Sequence, residues 1–193
     1  MAANDGIETR IGERMRALRA GLGLSLDALA DRAAVSRAML SRVERGESSP
    51  TAQFLGKVCA GLGITISALF AEAEAARGPI RRRSDQPVWR DPATGYLRRN
   101  VAPRGTGSSV DISDVTLPPG AEVSFDPLLL GNADQHIWIL DGALELTIGD
   151  TDHSLRIGDC IHMGFDQAVS FRNPTDRPVR YAVVIGRGGA GWT

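Results

Sequence analysis

The spacing of apolar residues changes near position 77, and this constrains the fold more than any other feature of the chain. Up to Ala76 apolar side chains recur at intervals of three and four, as in Ile7, Ile11, Met15, Leu18 and Leu22, and again in Phe54, Leu55, Val58, Cys59 and Leu62. That spacing lines one face of an α-helix. From Ile80 onward the apolar residues come in short runs bounded by Gly, Pro, Asn and Asp: VDISDVTL, AEVSF, HIWIL, ALELTI, HSLRIG, CIHM, AVSFRN and VRYAVVIG. Such runs predict the strands of an antiparallel sandwich or barrel. With 193 residues and 42% hydrophobic content the chain can bury one sizeable core or two small ones, and its length favours two.

Composition removes several classes of function. The longest apolar stretches, such as Ile64 to Ala71, contain Thr and Ser and fall far short of the roughly 20 residues a bilayer needs. The first ten residues, MAANDGIETR, carry acids and no apolar core, unlike a secretory signal. Cys59 and Cys160 are too far apart in sequence to suggest a disulfide framework, so the expectation is a cytoplasmic protein with no membrane partner. The net charge of −1 hides a division: residues 1–76 hold nine basic and nine acidic side chains, 77–104 eight and two, and 105–193 five and twelve. Bulk charge on the first part gives nucleic acid no purchase, so a DNA-binding role has to rest on where particular arginines lie. The basic connection GPIRRRSDQP reads as a solvated linker, with accessory phosphate contacts as the alternative. The glycine-rich end GRGGAGWT is expected to be mobile.

Five helices fit the first part. Ser25, Ser36, Thr51 and Thr65 each precede an apolar-periodic run, where a hydroxyl can accept a hydrogen bond from the first turn, and Gly21, Gly23, Gly46, Gly61 and Gly63 read as helix ends. Ser25 to Gly46, SLDALADRAAVSRAMLSRVERG, has the make-up of two short helices joined by a tight turn. Ala30 is the small residue where they touch, and Leu29, Ala33, Val35, Leu40 and Val43 form the apolar crossing. Arg37, Ala38, Met39, Ser41 and Arg42 are left facing outward on the second helix, with Arg45 near its end.

From about Ile7 to Phe70 the chain resembles the Xre-type helix-turn-helix family, through VS, LSRVERG, SPT and GLGITISALF in order and spacing. The resemblance implies a five-helix domain whose third helix enters the major groove of double-stranded DNA, as a dimer on a pseudo-palindromic operator. Ser36, Arg37, Ala38, Met39 and Arg42 would read bases, with Ser41 on the same face. Arg37 and Arg42 carry the guanidinium groups able to grip guanine O6 and N7. It further implies an ion pair between Arg19 and Glu44, and places Arg45, Ser48 and the backbone of Gly46 near phosphate. Two positions depart from the family: Ala34 stands where a positive φ usually calls for glycine, and Leu26 replaces a polar residue. The alternative is a bundle that binds only protein.

From about Ile80 to Arg187 the chain is similar to a small cupin, through LPPGAE, HIWILDGALELTIGD, LRIGDCIHM and VSFRNPTDRP. Metal-binding cupins place two histidines two apart, a glutamate, and a third histidine four residues before an asparagine. Carried over, these positions fall at Leu128 to Gly131, at Gln135 and at Val169, so the resemblance implies no metal and no other cofactor. Strand alternation puts His136 on the face opposite Gln135. Cys160 and His162, with His136, are the alternative soft-metal set, and His153 is read in a turn. Gln135, Ile137, Ile139, Val169 and Phe171 are the expected lining of a cavity for a small-molecule effector. A barrel packed solid and used to dimerise is the other reading.

The resulting expectation is an α + β two-domain chain. Residues 1–76 form a helix-turn-helix DNA-binding domain, 77–90 a basic linker and first strand region, 91–187 a cupin jelly-roll and 188–193 a tail. The function expected is that of a homodimeric transcriptional regulator, a repressor, with no catalytic residues. A metal-dependent cupin enzyme tethered to DNA and an antitoxin-like protein binder are the alternatives.

Overall fold

The structure is a computed structural model in which residues 2–70, 78–103, 105–128 and 133–187 are described. The tail at 188–193 lies outside them. Among the described residues five α-helices come first: α1 Ala2–Gly21, α2 Leu26–Arg32, α3 Arg37–Glu44, α4 Ala52–Leu62 and α5 Ile66–Leu69. All four expected caps form. Ser25 Oγ accepts from Ala28 N at 3.0 Å, Ser36 Oγ from Met39 N at 3.0 Å, Thr51 Oγ1 from Phe54 N at 3.2 Å and Thr65 Oγ1 from Ala68 N at 3.0 Å. Each cap contributes about 1 kcal/mol by satisfying an amide that the first turn leaves open.

The bundle core is Ile11, Met15, Leu29, Leu40, Val43, Leu55 and Val58, all nearly inaccessible to solvent. Helix α1 crosses α3 at Gly12, where a Cβ would lie 2.2 Å from the Val43 carbonyl oxygen, so glycine is required by the approach of the two backbones. Gly61 corrects a sequence expectation. It does not end a helix but sits inside α4, which stops at Gly63 with φ +69. At Gly61 α4 packs on α2, and a Cβ there would be 3.1 Å from both Ala33 Cβ and Leu29 Cδ1.

Among the described residues ten strands follow a 3₁₀ turn at Arg83–Asp85: β1 Val88–Arg90, β2 Leu97–Asn100, β3 Val110–Leu117, β4 Glu122–Phe125, β5 Ala133–Asp141, β6 Ala143–Ile148, β7 Thr151–Arg156, β8 Cys160–Met163, β9 Val169–Arg172 and β10 Val179–Arg187. One sheet runs β1-β2-β3-β10-β5-β8 and the other β4-β9-β6-β7, with every pairing antiparallel. From β3 on, the chain crosses between the sheets at every step except the β6–β7 hairpin, the order of a jelly roll and the architecture of cupins. His153 lies within β7, paired with Leu146, rather than in a turn. Fully buried Asn173 locks one corner: its Nδ2 lies 2.7 to 3.0 Å from the carbonyl oxygens of Leu117, Pro118 and Arg177.

The two units share one apolar core. Phe70, just after α5, packs on Trp89 of β1 with ring centroids 5.8 Å apart, and Trp89 meets Tyr96 at 6.2 Å. The buried Asp91 carboxylate accepts from Ala52 N at the start of α4 (3.3 Å) and from Thr94 Oγ1 (2.6 Å). Phe125 of β4 presses on Gly56 of α4, where a Cβ would be 2.9 Å from its Cδ1. Arg81 in the connection donates to the carbonyls of Asp85 and Ala102, so the connection is anchored there, whereas Arg82 and Arg83 are exposed.

Candidate functional site

The outer face of α3 carries the first cluster. Arg37, Ala38, Arg42 and Arg45 are exposed, as is the cap residue Ser36. Met39 differs from expectation. It is half-buried against the bundle core and accepts a hydrogen bond from Ser48 Oγ at 3.7 Å, because its position on the helical wheel is shared with the turn beneath. Ser41 is half-buried and receives a short hydrogen bond from Arg45. The Gly46 N–H already donates to the Val43 carbonyl at 3.0 Å, with φ +70 at Gly46. Leu26 packs on the core.

Acids attend two of these arginines. Arg37 Nε is 2.7 Å from Asp27 Oδ1, with the two side chains 61% and 68% exposed. Arg45 grips Glu47 through Nε and NH2 at 2.6 Å each and holds that carboxyl below its usual pKa range. Exposed pairs of this kind are worth at most about 1 kcal/mol, so an incoming phosphate or base can replace either acid. Arg42 has no ion pair among the described residues. Behind this face Arg19 binds Glu44 through Nε–Oε1 at 2.7 Å and NH2–Oε2 at 2.8 Å, and also donates to the Leu24 carbonyl at 2.8 Å. The Glu44 carboxylate raises the Arg19 pKa. This pair fixes α1 to the end of α3.

The second site is a cavity of about 80 Å³ at the open end of the barrel. Gln135, Val169 and Phe171 line it. Ile137 and Ile139 do not: both are buried in the apolar core, which also holds Leu144, Leu146 and Val179, away from the cavity wall. Alternation along a strand gives the direction of a side chain, not whether the space before it is open. Helices α4 and α5 close the cavity through Gly56, Cys59 and Ile66. Burial raises the Cys59 pKa to about 12, so its thiol stays protonated. Arg98 of β2 also lines the cavity at 5% exposure, a residue that sequence reasoning missed because an arginine-rich segment reads as solvated.

The residues at the metal positions of the family do not fit a metal. Gln135 offers a neutral amide and Val169 no donor atom, while Leu129 to Gly131 lie outside the described residues. His136 faces outward and meets His162 across the β5–β8 ladder with the rings tilted, centroids 5.0 Å apart, and His162 Nε2 lies 3.1 Å from Asp134 Oδ2. Cys160 pairs with Trp138 in that ladder. Among the described residues no group of three or more His, Cys, Asp and Glu side chains is placed to hold a metal ion, and no helix is long and apolar enough to cross a membrane.

A capped helix pair presenting arginines, joined to a jelly-roll barrel, defines a helix-turn-helix protein with a cupin domain. Residues 15–69 match the family described as HTH_3, helix-turn-helix. The HTH-type transcriptional regulator SutR of Escherichia coli (strain K12) is 25% identical over 171 residues, spanning 89% of this chain and 91% of that protein. SinR of Bacillus subtilis (strain 168), also an HTH-type transcriptional regulator, is 40% identical over 63 residues, 32% of this chain and 57% of that one. The crystal structure of an HTH_3 family transcriptional regulator from Vibrio cholerae superimposes with a TM-score of 0.76 at 27% identity, covering 96% of this chain and 99% of the other. The chain carries an HTH_3 helix-turn-helix domain over residues 15–69 and is similar along most of its length to transcriptional regulators, and its C-terminal part has a jelly-roll fold.

Proposed function

We propose that the protein is a cytoplasmic, homodimeric repressor that reads a pseudo-palindromic operator with α3 and responds to a small-molecule effector in its cupin cavity, without catalysis. Residues 1–76 act as the DNA-binding domain, 77–90 as the linker and first strand, and 91–187 as the effector and dimer domain. The exposed arginine face of α3 carries this reading. Arg37 and Arg42 are the base-reading pair, Ser36, Ala38 and Ser41 flank them, and Arg45, Gly46 and Ser48 lie toward phosphate. The half-buried Met39 shapes the floor of that face.

Selection of bound fragments from a random DNA pool should return a two-fold symmetric site with half-sites about 34 Å apart, one turn of the duplex. On that site Arg42→Ala should lower affinity by about 1 to 3 kcal/mol, and Arg37→Ala by a similar amount offset by release of Asp27. Unchanged binding by both variants, or no enriched sequence at all, refutes the assignment.

A further inference from the structure

Arg98 lies deep between the two domains, and among the described residues no ion pair balances it. Its NH1 donates to Tyr96 Oη at 3.4 Å and its NH2 to Ser67 Oγ of α5, while Nε is buried with no acceptor. Two of the five guanidinium N–H groups are therefore engaged. Asp126 also lines the cavity, but it is exposed, and no ion pair joins it to Arg98 among the described residues. A guanidinium stays charged at any physiological pH, and a buried charge without a counterion is strongly disfavoured. Arginine is rarely buried unless paired. The rest of the wall, including Val169, Phe171 and Ile185, is mostly apolar.

The geometry points to a small monocarboxylate as the occupant of this cavity, its carboxylate on the Arg98 guanidinium and its short apolar tail against Val169 and Phe171. This assignment of ligand class rests on the effector role proposed above. A carboxylate matches the fork of N–H donors and supplies the missing negative charge. The size of the cavity sets the length of the tail. At about 80 Å³ it is roughly half the volume of the engineered protein cavity of about 150 Å³ that accommodates benzene, so an acid of a few heavy atoms fits. Because Gly56 and Cys59 of α4 belong to the same wall and Ser67 of α5 holds the guanidinium, the acid touches the DNA-binding unit itself. It favours the docked arrangement of the two domains to the extent that it binds that arrangement better.

The test uses the full chain with sodium propionate as probe, and propionamide and sodium chloride at matched concentration as controls, read by thermal denaturation and calorimetry. Propionate should raise Tm at millimolar concentration and bind roughly tenfold or more tightly than propionamide, since the charge-assisted bonds are lost in the amide. Arg98→Met should abolish the difference between acid and amide. Equal responses to the two, no response to the acid, or a preference that survives Arg98→Met overturns the inference. Should Arg98→Met not fold, the comparison of acid and amide on the wild-type chain decides alone. Operator binding is measured on the same samples. Retained operator binding without an acid response sinks this inference alone, whereas an acid response without operator binding sinks the DNA reading alone.

Discussion

The helical bundle has two working faces, and they are built in opposite ways. On α3 the polar side chains stand in water: Arg37 and Arg45 hold exposed acids that a competing anion can displace, and Arg42 has no ion pair among the described residues. On α4 and α5 the contacts are dry: Gly56 meets Phe125, Phe70 meets Trp89, and Ala52 N is capped by an aspartate from the barrel. The difference separates what the bundle can exchange from what it must keep. The largest effect expected from disturbing this arrangement is at the pair that holds the wet face in place. Glu44→Ala leaves Arg19, 14% exposed, facing a cavity without its carboxylate. Loss of one partner of a buried pair costs about 3 kcal/mol, because the remaining charge stays desolvated. Urea denaturation should show that loss, with the barrel strands unaltered by circular dichroism. A change below about 1 kcal/mol would place this pair among exposed pairs.

The dry face is tested at its tightest point. Gly56→Val pushes a branched side chain into the ring of Phe125, whose Cδ1 a bare Cβ would already approach to 2.9 Å. A few tenths of a kcal/mol gained in helix propensity are outweighed by overpacking, typically about 2 kcal/mol. The strain should part the two domains rather than unfold either. Cysteine labelling reads this directly: Cys160 is exposed and should react in both proteins, while Cys59 is buried with its pKa pushed up to about 12 and should react only in the variant. Equal protection of Cys59 in both would mean that the interface absorbs the added methyl groups.

The wet face was more legible in the sequence than the dry one, for a physical reason. Caps, helix periods and the Arg19–Glu44 pair follow from local spacing or from the family pattern, and the structure contains them all. The eight runs from VDISDVTL onward became β3 to β10 because alternation and turn residues are local signals too. Arg98 was not legible, because its burial depends on Ser67 and Tyr96 closing around it, and the single sequence marks LRRN as polar. The closure of the cavity by α4 and α5 likewise joins residues about 30 to 130 positions apart. Asp27 beside Arg37 was missed because the two sit on different helices that approach only once the turn has formed.

That turn supplies the smallest effect and tests a departure from the family read in the sequence. Ala34 adopts φ +50, and among the described residues it alone has positive φ without being glycine. A Cβ in this region costs about 1 kcal/mol, while glycine adds back about half of that in freedom of the unfolded chain. Ala34 is exposed, so Ala34→Gly removes no buried contact. The net expectation is a gain of about 0.5 kcal/mol, or roughly 1 to 2 °C in Tm for a chain of this size. Operator affinity should stay unchanged, since α2 and α3 keep their crossing through Leu29, Leu40 and Val43. A lower Tm would show that the turn tolerates alanine without strain. A weaker operator complex at unchanged Tm would show instead that stiffness at residue 34, and not only the arginines of α3, sets how the wet face meets DNA.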